Sequence, residues 1–578
     1  MAKCVFICSR ESLPESMSQK LKEICKRLSP DNISPAEPKV TVDGHTGFGI
    51  INPNSTIRYR DTSFLMGQIV NNDNNWHIPL RDFPDGSFAL FRNNMDYCEI
   101  LSDPVASRTI WYYIDSKFLI AATSQRAIIM LLGSFYFNEN VITWMLSTGT
   151  LGPGFSWDTR IKRLGPDSSI ILDKKNWKLR IASNPIEFKE VKRTDEKHEE
   201  LLLKSLMSSF KGLDLDLTKW VLPLSGGYDS RGILCLFLGA SSDYQKIKTI
   251  TWGLKASMAV KGNDASVARE LAERLSVTNK YYINDISDDP VETIIDRFVR
   301  LGEGQIDNIS DYLDGFKMWK DITEDGIEGI IRGDEGFGCK HYSSSLAVKN
   351  NQSCILCSDL QNLKNYKEYG FPDQELPEEL RQRGRESLST WRDRLFHTYT
   401  LPTGFSPLSD LKLAYVEQIN PLITREVLQV VRQLPDHLRT EKNLFRKIVD
   451  SSCPKIEYAK SASSAPLRDL LRDEHVVSYM KNHLSSLEAN RIFPGSFLNF
   501  AIGGLQGKIK TVTGKKETST SKLFIKRMIP TFLKEAVRSK ILLPSIDNNI
   551  LAFRVVLISK MHSLLYEDTT ALNDHNLG

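Results

Sequence analysis

Six residues, Ser225-Gly226-Gly227-Tyr228-Asp229-Ser230, separate the apolar run "VLPL" from the apolar run "RGILCLF". A plain strand-to-helix turn needs one glycine. Two adjacent glycines flanked by hydroxyls let backbone amides close around an anion, with the following helix aiming its positive N-terminus at it. A carboxylate beside an anion is repelled unless a cation lies between them, so Asp229 is a candidate Mg²⁺ ligand. One carboxylate rarely suffices. The second candidate is Asp334 in "IIRGDEGFG", held between glycines after a short apolar strand. Read alone, the first stretch is as often an ordinary βα turn as an anion cradle and the second reads as a surface turn, but the glycine-rich turn tips the balance for the second. Cys354-Ile-Leu-Cys357 is a lone CxxC, without the second pair a metal site would want.

These residues need a frame. Residues 1–190 are β-rich, with short strands expected at 47–51, 87–92, 110–114 and 169–172 between turn clusters such as "NPNS", "NNDNN" and "FPDG". "KRTDEKHEELLLKSLMSSF" then turns charged and helical, with Leu202, Leu206 and Phe210 at four-residue spacing, which puts a boundary near 185–198. A strand at 220–224, a helix at 231–238 and a strand at 247–252 follow. "NDASVARELAERL" carries Val267, Leu271 and Leu275 on one face beside Ala268 and Ala272, an amphipathic helix, and "KYYINDI" reads as a third strand. Strands alternating with helices imply a parallel sheet that binds ligands at the carboxyl ends of its strands. The glycine-rich turn lies at such an end. From about residue 300 the pattern is mostly helical, and no internal repeat is present.

The chain has 578 residues, 41% hydrophobic and 25% charged, which suits a multidomain globular protein. No apolar run nears the ~18 residues of a membrane span, and the apolar stretch at the N-terminus is too short for a secretory signal. A cytoplasmic protein with no membrane contact is expected. A net charge of +4 over this length gives no sign of a nucleic-acid partner. Residues 508–540 are locally basic, opposed only by Glu517 and Glu535, and read as a solvated face. Nine cysteines without pattern speak for reduced thiols.

SGGxDS after a buried strand is similar to the signature of the PP-loop ATP pyrophosphatases, and differs from the Walker A pattern, which is absent. Further motifs in order make the chain resemble asparagine synthetases and their relatives, the β-lactam synthetases and lasso-peptide cyclases. "TITWG" resembles the family's adenine-holding strand, and "RGDEGFG" its GxGxDExFGG segment. "EQINPLIT" resembles its R-x-P-F-L-D stretch, and "EKNLFRKIV" its K-x-x-L-R helix. In "EYAKSASSAP", Lys460 stands where the family places a lysine. The resemblance implies an ATP site of Leu224, Ser225, Gly226, Gly227, Asp229, Ser230, Thr251, Gly253 and Gly333. It also implies Mg²⁺ on Asp229 and Asp334, and catalysis by Lys460 with both acids. An ammonium at Lys460 would stabilise the oxyanion of amide formation.

"FLMGQIVNN", "FPDGSFALF" and "LSDPVASRTIWYYIDSKFLIAATSQRAI" resemble the family's glutaminase half. The implied fold is α/β. An N-terminal Ntn-hydrolase-like αββα sandwich (1–190, a degenerate class II glutamine amidotransferase-like domain) precedes a PP-loop parallel-sheet synthetase domain with a helical C-terminal part (191–578). Four departures matter. Ala2 stands where the family has its cysteine nucleophile, and the segment "VTVDGHTGFG" lacks the arginine that grips glutamine, so glutaminase activity is expected to be lost. Ile331 replaces a family glutamate or tyrosine, and Arg332 a glycine.

The function expected is an ATP- and Mg²⁺-dependent ligase that adenylates a small-molecule or peptide carboxylate and joins it to an amine, such as a macrolactam cyclase. A partner protein delivering substrate or ammonia fits this scheme. The alternatives are an asparagine synthetase fed by ammonia, a PP-loop sulfur-transfer enzyme using Cys354 and Cys357, and a non-catalytic ATP-binding regulator.

Overall fold

A computed structural model describes residues 3–71, 74–508 and 543–572. Ala2 and most of the basic segment, from 509 onward, lie outside the described residues.

The N-terminal part holds twelve strands in two six-stranded antiparallel sheets. The first sheet is built from β1 (Lys3–Ser9), β2 (Lys39–Asp43), β3 (Thr46–Ile51), β8 (Trp111–Ile114), β9 (Phe118–Ala122) and β10 (Lys162–Arg163), in the order β10-β8-β9-β1-β3-β2. The second takes β4 (Arg58–Arg60), β5 (Ser63–Val70), β6 (Asp85–Asn93), β7 (Tyr97–Ser102), β11 (Ser168–Asp173) and β12 (Lys178–Ser183), in the order β12-β11-β7-β6-β5-β4. The two-residue period of a strand decides what each face meets. Cys4, Phe6 and Cys8 pack with Phe64, Phe91 and Ile100 of the other sheet, forming the layer between them. Val5 and Ile7 point the opposite way, against Leu21 and Ile24 of the helix Met17–Leu28. The outer face of the second sheet carries Leu65, Phe88 and Leu90. Beside it lie β17 (Glu417–Ile419) and the helix Arg425–Val431, so this covering layer is supplied by the C-terminal half.

A five-stranded parallel sheet forms the second body. Its strands are β13 (Trp220–Pro223), β14 (Lys248–Gly253), β15 (Thr278–Ile283), β16 (Gly329–Ile331) and β17, in the order β15-β14-β13-β16-β17. The chain runs outward from β13 through β14 to β15, then returns to the other side of β13 for β16 and β17. The order therefore reverses at β13, and such a switch point opens a crevice at the strands' carboxyl ends. The turn 224–227 leaves β13 there, and the loop 332–336 leaves β16 beside it. The helix Tyr228–Ala240 begins earlier than the apolar pattern suggests, which puts Asp229 and Ser230 in its first turn.

Candidate functional site

The site is assembled from the residue upward at this crevice. β13 ends at Pro223, and Leu224 continues it by one step, its N–H donating to the Ile250 carbonyl at 2.7 Å. Thr251 Oγ1 donates to the Leu224 carbonyl at 2.8 Å, fixing the turn against β14. Within the turn, the Ser225 N–H donates to Ser230 Oγ at 3.0 Å and the Gly227 N–H to Ser225 Oγ at 3.3 Å. The Gly226 N–H is taken by a carboxylate from the next helix, Asp264 Oδ1, at 3.0 Å. An amide of the predicted anion cradle thus already faces an anionic oxygen. Gly226 has a steric reason as well: a Cβ there would collide with Ala459, whose N–H donates to the Gly226 carbonyl at 3.1 Å. At Gly253 a Cβ would collide with Ser463, because the segment after Ala459 passes close over both strand ends.

A cavity of about 620 Å³ opens between these elements. Leu224, Ser225, Asp229, Ser230, Thr251, Gly333 and Asp334 line it, as do residues 462–466. Gly226, Gly227 and Gly253 shape its walls without lining it. The two acidic turns come close: a Cβ on Gly333 would lie 3.5 Å from Asp229 Cβ. Lining residues that sequence reasoning did not name as site residues include Trp252, Asp264, Ser310 and Asp311. Ser310 and Asp311 sit in an irregular loop with no periodic signal.

The acids are not bare. Lys442 Nζ donates to both carboxylate oxygens of Asp229, at 2.9 and 3.0 Å, and reaches Glu335 Oε1 at 2.9 Å. Burial works against its charge, but Glu335 and Asp229 outweigh burial and hold the ammonium charged. Burial raises the Glu335 carboxyl above its usual range, opposed by Lys442 and reinforced by Asp229. On the other side, Arg332 Nη2 donates to Asp334 Oδ1 at 2.8 Å. Arg332 is therefore the counter-ion of the second acid.

Behind the loop lies a buried imidazole. His397 Nε2 is 2.8 Å from the Gly336 carbonyl, and Arg432 Nε donates to its Nδ1 at 3.3 Å. With Nδ1 accepting, Nε2 carries the proton and donates. Burial, followed by the Arg432 charge, pushes the imidazole pKa down to about 3.

Lys460 is not brought together with the others. Its side chain is 78% exposed and pairs with Glu457 at 2.9 Å, while its N–H donates to the Gly262 carbonyl. Lys442, inside the quoted "EKNLFRKIV", is the ammonium that reaches the acids.

The cysteines require one correction. Cys235, in the helix that follows the turn, is joined to Cys453, so the thiols are not all reduced. Pairing across 218 residues leaves no local spacing signal in the sequence. Cys354 and Cys357 are free and fully buried, and burial pushes the Cys357 thiol up to about 12 and Cys354 higher still. A sulfur-transfer nucleophile needs the opposite environment. Cys4 is equally unsuited to the nucleophile role. It lies inside β1, its N–H donates to Thr123 Oγ1 at 2.9 Å, and burial raises its thiol to about 12.

No family model and no curated protein matches the sequence. Among solved structures, the chain is similar to the glutamine phosphoribosylpyrophosphate (PRPP) amidotransferase from B. subtilis complexed with ADP and GMP. Identity is 10% and the TM-score 0.19, over 50% of this chain and 66% of that one, just under two thirds of its length. A structure of the allosteric regulatory enzyme of purine biosynthesis matches at 9% identity and TM-score 0.21, over 57% of this chain and 79% of that one. Neither superposition is close enough to bear on the site. Among the described residues no helix is long and apolar enough to cross a membrane.

Proposed function

We propose that the protein is an ATP- and Mg²⁺-dependent ligase that adenylates a carboxylate with release of pyrophosphate and passes the acyl group to an amine. The observation that carries this reading is the single cavity shared by the serine–glycine turn, the end of β14, Asp229 and Asp334. In this scheme the N-terminal part is an Ntn-hydrolase-like sandwich without glutaminase activity, and the parallel-sheet part is a PP-loop synthetase.

The donor set suits a cation shared with phosphates. Mg²⁺ bound alongside nucleotides commonly takes one or two carboxylates and completes its shell with phosphate oxygens and water. Asp229 and Asp334 supply that number, and among the described residues no group of three ligands forms a preformed cage. Bound there, Mg²⁺ would offset the triphosphate charge. The chain's own residues do the remaining work. The turn and the first turn of the helix Tyr228–Ala240 offer amides, two serine hydroxyls and a helix N-terminus to the phosphates. Thr251 and Trp252 form the wall for the base. Arg332 lines the cavity beside Asp334, where it would meet the acyl group. Lys460 would have to turn inward from its surface pairing to meet the oxyanion, carried by the segment whose residues 462–466 already line the cavity.

Incubation with ATP, Mg²⁺ and a panel of carboxylates, with hydroxylamine as a general amine acceptor, should release AMP and pyrophosphate in equal amounts. ADP as the stoichiometric product would overturn the proposal. Unimpaired turnover in a Cys354→Ser, Cys357→Ser double variant would dispose of sulfur transfer, which the buried, protonated state of both thiols already disfavours.

A further inference from the structure

We infer that Lys442 is a built-in counter-cation that holds Asp229 of the nucleotide site together with the neighbouring Glu335, so that a divalent metal takes Asp229 only together with the nucleotide. The inference rests on the ATP and Mg²⁺ reading of the cavity and adds a residue and an order of binding to it.

Three observations converge. The ammonium sits between two carboxylates from different elements, Asp229 in the helix after β13 and Glu335 in the loop after β16, with every contact at 2.9–3.0 Å. A cation in that place does what a metal would do, because two acids facing one partly buried point repel unless a positive charge separates them. Backbone conformation is committed to the placement. Glu441 and Lys442 both have positive φ, 57° and 58°, immediately before the helix Asn443–Ser452. Two consecutive non-glycine residues in the left-handed region are uncommon and cost energy, which the ion pairs help to offset. Finally, the neighbouring turn is satisfied in the same manner, since the Asp264 carboxylate occupies the Gly226 N–H that a phosphate oxygen would take. The acids and the turn are thus each paired within the protein, the acids with an ammonium and the turn with a carboxylate, in the places where a metal and a phosphate oxygen would bind.

The consequence is an exchange. A lone divalent ion must compete with an ammonium already held by both carboxylates and has no phosphate oxygens to complete its shell. When a polyphosphate arrives, its negative charge displaces Asp264 from the turn and draws the ammonium off the acids. The metal can then take Asp229. No covalent bond is made or broken; the metal and the polyphosphate bring their own charges, and only the protein's ion pairs are exchanged.

Binding of Mn²⁺ alone, followed by electron paramagnetic resonance on the full chain, tests this without turnover. Wild-type protein should bind Mn²⁺ weakly without ATP and much more tightly with it. Lys442→Met should bind Mn²⁺ alone at least about tenfold more tightly than wild type, whereas Lys442→Arg, which keeps the charge, should stay close to wild type. Circular dichroism and a melting curve establish that the variants are folded. Equal Mn²⁺ affinity in folded Lys442→Met and wild type would overturn the inference. Tight Mn²⁺ binding by wild type without nucleotide would overturn it whether or not the variants fold. If the protein releases ADP or ignores ATP altogether, the ligase proposal fails, while the metal-alone comparison still decides the role of Lys442.

Discussion

At the scale of single residues, the site divides into acids with a counter-ion and one lysine without a place. In the proposed ligase, Asp229→Asn and Asp334→Asn each remove one ligand from the cation that offsets the triphosphate. Turnover should fall by at least ~10²-fold in each; Asp229→Asn should melt near wild type because Asp229 is a third exposed, whereas Asp334→Asn should melt lower because it strips Arg332 of its charged partner in an almost buried pair. Near-normal activity at saturating Mg²⁺ would remove that residue from the metal site. Lys460 is the sharper case. If its ammonium swings inward during catalysis, Lys460→Ala lowers kcat far more than it raises KM for ATP. Should kcat stay unchanged, its pairing with Glu457 is its whole role. Both acids could be found from sequence because their glycine neighbours are local. Lys442 could not be singled out, because its partners lie 213 residues away at Asp229 and across the loop after β16, and nothing in "TEKN" marks a left-handed pair.

At the scale of elements, the parallel sheet was legible wherever strands were bounded by turns and helices had an apolar face. β13, β14, β15 and the helix Asp264–Arg274 fall where their patterns point. The three-residue strand β17 is too short to show a period, and its motif was read only through resemblance. The π-helix Phe396–Phe405, with Pro402 inside it, was not foreseen at all. It matters because it brings His397 to the Gly336 carbonyl and so braces the loop carrying Asp334 and Glu335. The imidazole is neutral when folded, with a pKa of about 3 against a reference of 6.5. Below pH 6.5 the unfolded chain takes up the proton and the folded chain does not, so stability falls as pH drops from 6.5 towards 3. Between pH 7 and pH 5 this one group should cost about 2 kcal/mol. In His397→Gln, the drop in urea unfolding free energy over that interval should shrink by that amount. A variant with the wild-type pH dependence would show that the imidazole is not buried in its neutral form.

At the scale of the whole molecule, a boundary near residue 190 describes the chain's composition better than its packing. The helices Gln125–Leu132 and Asn140–Thr148 pack on the C-terminal helix Asn548–Thr570, and their apolar residues share one continuous core with it. Charges cross the same line. Lys3 pairs with Glu303 at 3.0 Å, Arg126 with Asp568 at 2.6 Å, and Arg108 with Glu417. All three acids have fully buried side chains, 0% exposed. Arg425 reaches back to Asp167 at 2.5 Å, while Asp85 accepts the Arg425 N–H at 2.7 Å at the start of the helix Arg425–Val431. Removing residues 1–190 would leave three buried carboxylates without cations and uncover the apolar face of the last helix. Stranding one partner of a buried pair costs about 3–5 kcal/mol, against a total stability of about 5–15 kcal/mol for a typical domain. The truncated chain should therefore aggregate on expression, and Arg126→Met alone should lower the unfolding free energy of the intact chain by about 3 kcal/mol. A soluble, monomeric 191–578 fragment with native circular dichroism would show that the C-terminal part folds alone. An Arg126→Met variant as stable as wild type would show that the buried Asp568 carboxylate finds another partner, leaving Arg27, which donates to it at 2.8 Å, as the cation that suffices.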